Sequence, residues 1–115
     1  MLKASDLLQF TGSDFLIRHL GALITPGVAH LANNAQCWWL VDIITSHVTS
    51  YKPSFLLWTL QVRDTGRAVV TAQEDLGERP VFTVEVEFSD YLCHSEVNPL
   101  RLYQCGNTVM LPSEY

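Results

Sequence analysis

The sequence predicts an α+β fold: N-terminal helices, including one central buried helix, packed on an antiparallel sheet of four or five strands. Apolar residues recur with a helical period through the first 48 positions, and the period switches to two after Lys52 and Pro53. Helices come first and short strands follow, which gives two packed layers rather than alternating β-α-β units. Residues 1–115 are expected to form a single domain.

Each element has its own signal. Ser5 is a candidate cap for a short turn over residues 6–9, and Ser13 for a helix over 14–20 that stops at Gly21. Pro26 suits a first helical turn, so residues 28–32 read as a further helix ending at Asn33 and Asn34. Residues 35–48 read as the central helix. On its wheel Cys37, Leu40, Ile43, Ile44 and Val48 gather on one face, with Trp38, Asp42, Thr45 and Ser46 on the other. A tryptophan on the polar side implies cover on both sides, by the sheet and by the preceding helices. Residues 55–63, 67–73 and 81–88 alternate as half-buried strands, the first two joined at Asp64, Thr65 and Gly66. A final pair, 100–104 and 108–111, flanks Gly106 and Asn107, residues suited to the positive φ of a tight hairpin.

Several of these residues, taken in order, have a counterpart. Phe10-Thr11-Gly12, Arg18-His19, Pro26-Gly27-Val28 running to Leu31-Ala32, Trp39-Leu40 with Asp42 and Ser46-His47, Trp58-Thr59-Leu60, and Leu111-Pro112-Ser113-Glu114-Tyr115 together resemble a family of short, uncharacterised bacterial proteins. The resemblance runs through nearly the whole chain. It implies one compact unit and carries no reaction or ligand.

Composition narrows the function classes. Apolar residues make up 48% and charged residues 17%, the balance of a globular chain with ample core material. Seven basic residues against twelve acidic ones give a net charge of −5, so neither nucleic acid nor an acidic membrane surface is an expected partner. The longest oily run, residues 35–44, contains Asp42 and falls short of the ~20 residues a bilayer needs. No signal-like stretch opens the sequence, and a cytoplasmic location is expected. Cys37, Cys93 and Cys105 cannot all pair with one another and show no C-x-x-C spacing, so they read as reduced thiols.

The most chemical set is His19, His30, Asp42 and His47, competent as metal ligands or as an imidazole base with an orienting acid if the N-terminal segments wrap the central helix. Asp42 and His47, five residues apart, sit about 140° apart on that helix and cannot share a ligand as an i, i+4 pair does. No H-E-x-x-H, P-loop or G-x-G-x-x-G is present. Cys93, His94 and Cys105 lack a fourth zinc ligand. Structural roles are therefore favoured for these groups, with no cofactor and no metal expected. The leading expectation is a non-enzymatic domain acting through a homo-oligomeric or partner interface. Phe55, Leu57, Val69 and Val81 are the interface candidates, apolar residues opposite the core-facing strand positions. A small metal-assisted or acid–base enzyme is the alternative.

Overall fold

The structure, a computed structural model, describes residues 1–10, 15–48, 55–75, 77–87, 89, 91 and 95–115. The expectations placed on Ser13, Lys52, Pro53, Phe88, Cys93 and His94 lie outside those residues. The fold is α+β. Among the described residues three α-helices, α1 (Ala4–Leu8), α2 (Pro26–Asn34) and α3 (Trp38–Val48), accompany seven strands: β1 (Ile17–His19), β2 (Ala22–Ile24), β3 (Leu56–Val62), β4 (Ala68–Gln73), β5 (Phe82–Val86), β6 (Leu100–Cys105) and β7 (Thr108–Met110). They form one sheet of order β1-β2-β7-β6-β3-β4-β5. It is larger than the expected four or five strands and is mixed, because β2 pairs parallel to β7.

The extra strands replace the helix expected over residues 14–20. Ile17 pairs with Ile24 and His19 with Ala22, and the chain reverses at Leu20 (φ 49°) and Gly21 (φ 85°). Two positive φ angles in succession make the mirror-image turn whose twist matches a hairpin. The later hairpins follow their turn residues. Gly66 takes φ 86° after a turn closed by its N–H on the Arg63 carbonyl, and Gly106 takes φ 62° between paired Cys105 and Thr108. Asn107 is not among the positive-φ residues, so only the first central position of that turn needs a glycine.

α2 starts on Thr25, whose hydroxyl oxygen accepts the Val28 N–H, and Pro26 occupies its first turn. The continuous helix expected from residue 35 is interrupted. Gln36 turns left-handed (φ 54°) and the Cys37 N–H returns to the Ala32 carbonyl, the six-to-one bond of a Schellman end. The lead helix therefore starts at Trp38.

α3 is covered on one side, which corrects the expectation of cover on two. Leu40, Val41, Ile44, Thr45 and Val48 are buried in a single stripe, while Asp42 and Ser46 are exposed. Thr45, assigned to the polar face, lies inside because its hydroxyl donates to the Val41 carbonyl. Trp38 needs no second layer: its indole N–H reaches Asn33 Oδ1 and its ring lies on His19. The core sits between α2–α3 and the inner sheet face, where Leu56, Trp58, Leu60, Val70, Ala72, Leu100, Leu102 and Val109 meet the helices. On the edge strand β5 the inward Phe82, Val84 and Val86 are only half-buried.

Candidate functional site

The structure divides the four candidate residues among three places. His19 projects from β1 toward α3, and its Nε2 lies 2.7 Å from Asp42 Oδ1, with the ring centroid 5.2 Å from that of Trp38. This unites two of the predicted residues. The pair is open to solvent, with 26% and 54% of the two side chains exposed. A carboxylate that orients an imidazole is an acid–base arrangement in miniature. It is equally a brace between the edge hairpin and α3. His30 stands apart on α2, beside Phe10 at 5.1 Å and next to Asn34, in a cleft shared with Asp6 and Gln9. His47 is in the last turn of α3, against Phe82 and Trp58. Among the described residues no group of three or more His, Cys, Asp or Glu side chains is placed to hold a metal ion.

His47 lines a hollow of ≈ 270 Å³ that opens to solvent beside half-exposed Val81. The sheet register builds it. Trp58, Ala72 and Phe82 sit side by side on β3, β4 and β5, so a small residue stands between two large ones. Leu56 and Gln104, paired across β3 and β6, continue the wall, and Val81 stands at 48% exposure. The buried Gln104 amide is fixed, accepting from the Trp58 indole N–H at 2.8 Å and donating to the Gly106 carbonyl at 2.9 Å. Nothing local in the sequence signalled that a buried amide would be the partner of Trp58.

The opposite face of the sheet has a different character. Phe55, Leu57 and Val69 lie on that face. Val81 precedes β5 and is among the residues that line the cavity. Around Leu57, which is only 5% exposed, the rings of Phe55 and Tyr103 meet edge-on at 5.0 Å. Tyr115 closes on both, at 5.6 and 5.3 Å. The terminal turn is thus docked through its ring, and Glu114 ties it down by accepting from the Thr25 hydroxyl and the Leu111 N–H. Half-buried Met110 on β7 and Leu23 on β2 continue the strip. Tyr103 and Met110 were missed at the sequence level, although alternation about Leu102 and Val109 carries the signal.

Burial sets the ionisation of two core groups. The Cys37 thiol is pushed up to about 12 by loss of solvation. The Tyr91 hydroxyl is also pushed up to about 12 by burial, against the lowering effect of its bond from Ser95. Neither is a nucleophile near neutral pH. Half-buried Cys105 is likewise raised by burial.

These features define an α+β protein with helices on one sheet face and an aromatic strip on the other. No helix of the described residues is long and apolar enough to cross a membrane. The chain belongs to the Family of unknown function (DUF6876), which matches it over residues 1–115. No curated protein and no solved structure matches it.

Proposed function

We propose that the protein is a non-enzymatic structural or interaction domain that works as a homodimer, two copies meeting through the sheet faces opposite α2 and α3. The observation that supports this reading is the strip formed by Phe55, Leu57, Tyr103, Met110 and Tyr115, since the open face of a one-sided sheet is ordinarily polar. Aromatic and methionine side chains are enriched at interface centres. The central position of the strip suits a second copy as the occupant. β6 is the middle strand of seven, so the strip is central, while outward Arg18 and outward Glu85 lie on the two outermost strands, β1 and β5. A two-fold axis parallel to the strands sets each Arg18 edge over the Glu85 edge of the other copy, and such isologous pairs are the commonest assemblies.

Light scattering coupled to size exclusion is expected to give twice the chain mass of 13.0 kDa, with Met110→Glu reducing it to a single chain while the circular dichroism spectrum is kept. A wild-type protein that stays at one chain mass at several hundred micromolar removes the proposal. The competing acid–base reading rests on the His19–Asp42 pair alone, because His30 and His47 line other parts of the molecule.

A further inference from the structure

We infer that the outer edge of β5 takes up an extended peptide segment whose residues alternate between apolar and basic, adding it to the sheet as a further strand. The site lies at the rim of the sheet, away from the proposed dimer face, and does not depend on that reading. Three cross-strand rows leave the core open there. Trp58, Ala72 and Phe82, then Leu60, Val70 and Val84, then Val62, Ala68 and Val86 run side by side over β3, β4 and β5. In each row the first two residues are buried and the third is half-buried. An added strand completes all three rows with its own inward side chains while its backbone hydrogen-bonds to β5, the mode by which extended peptides bind open sheet edges.

The two edges of the sheet are guarded differently. Edge strands are commonly blunted by shortness, by a basic residue or proline, or by a bulge. β1 is three residues long with Arg18 at its centre. β5 keeps five successive pairs with β4 and has no proline or basic residue, and among the described residues no strand pairs with its other side. Charge selects the occupant. The outward residues Thr83, Glu85 and Glu87 are exposed, and Glu85 makes no ion pair or hydrogen bond among the described residues. Arg63 and Arg67 share a hollow with Glu85 and Glu87 but form no ion pair with either. A lysine or arginine standing opposite Glu85 is a favourable cross-strand pair, and a like charge there is unfavourable. A second β5 brings no base, since residues 81–87 contain none, and antiparallel self-pairing about Val84 sets Glu85 only against Thr83. A basic segment therefore fits this edge better than a second copy does, and the net charge of −5 draws it in.

The probe is a capped heptapeptide alternating valine and lysine, added to the full ¹⁵N-labelled chain and followed by two-dimensional NMR. Saturable amide shifts are expected at residues 82–86 and not at Arg18 on the opposite edge. The same peptide with glutamate in place of lysine is expected to bind roughly tenfold more weakly. A peptide of equal composition, with its valines and lysines in separate blocks, cannot alternate across the pleat and is expected to give no shift at these amides. Glu85→Lys, at an exposed position, is expected to weaken the lysine peptide by roughly threefold or more and to admit the glutamate peptide. Light scattering on this variant separates any change in dimerisation from loss of peptide binding. Absence of a saturable shift at residues 82–86 overturns the inference. So does equal binding of the lysine and glutamate peptides by the wild type, equal binding of the block peptide, or a peptide preference left unchanged by Glu85→Lys. Shifts of the same amides that appear with protein concentration alone give the edge to a second copy and overturn it as well.

Discussion

Gly27 carries a constraint that its place in a helix hides. A Cβ there would stand 2.5 Å from Glu114 Oε1 and 2.6 Å from Leu111 Cδ1. The carboxylate cannot simply swing away, because Thr25 and the Leu111 N–H hold it. Gly27→Ala would gain up to about 1 kcal/mol of helix propensity, against about 1–3 kcal/mol of overpacking. A net loss of up to about 2 kcal/mol is therefore expected, read as a lower urea midpoint at unchanged slope. Cys37 and Tyr91 make a second residue-scale prediction. Their ordinary values are 9.0 and 10.0, and both are raised to about 12 in the folded chain. The native state thus holds more protons than the unfolded one above pH 9, so this stabilisation is complete below that pH and is lost as pH climbs toward 12. The fall should approach about 1.4 kcal/mol per pH unit for each group. Cys37→Ala is expected to make the fall above pH 9 shallower, measured as unfolding free energy against pH, with Cys105 and Tyr91 left to carry the rest. An unchanged slope would show that Cys37 contributes nothing to the alkaline loss.

At the level of elements, the strands with a hydrophobic period of two were legible. β3, β4 and β6 fall within about a residue of their expected limits at most ends, because Leu56, Trp58, Leu60, Leu100 and Leu102 alternate with outward residues. The β1–β2 hairpin was not legible, for a physical reason. Its strands are three residues long, too short to display a period, and the reversal is made at a leucine in left-handed conformation, which carries no turn signal. The parallel pairing of β2 with β7 joins distant parts of the chain and has no local signature at all. The same gap hid the candidate site, since Asp42 meets His19 only because residues 17–19 are a strand beside α3. Leu20 is 60% exposed with φ 49°, a conformation that disfavours it by roughly 1–2 kcal/mol. Leu20→Asn, completing an Asn-Gly turn, is expected to stabilise the protein by about 0.5–1 kcal/mol. A lower thermal midpoint for this variant would mean that the leucine makes contacts outweighing its backbone strain.

For the whole molecule, the helices cover one sheet face and leave the other to its own side chains. That asymmetry gives the cavity and the aromatic strip separate places, so loss of one need not disturb the other. The composition announced abundant apolar material without saying where the surplus would go. Part of the outer patch was readable from alternation at Phe55, Leu57 and Val69. The remainder, Tyr103, Met110 and Tyr115, becomes visible only when β6, β7 and the terminal turn are set beside β3. In the proposed homodimer this assembled strip faces its own image. That pairing is tested most directly by isotope-filtered NOE spectroscopy on a mixture of copies carrying ¹³C-methyl methionine and unlabelled copies. Cross-peaks from the Met110 methyl to tyrosine rings of the unlabelled copy are the predicted result. A mixed sample with no such cross-peaks, or with intermolecular contacts only to the exposed flank of α3 around Asp42 and Ser46, would contradict it.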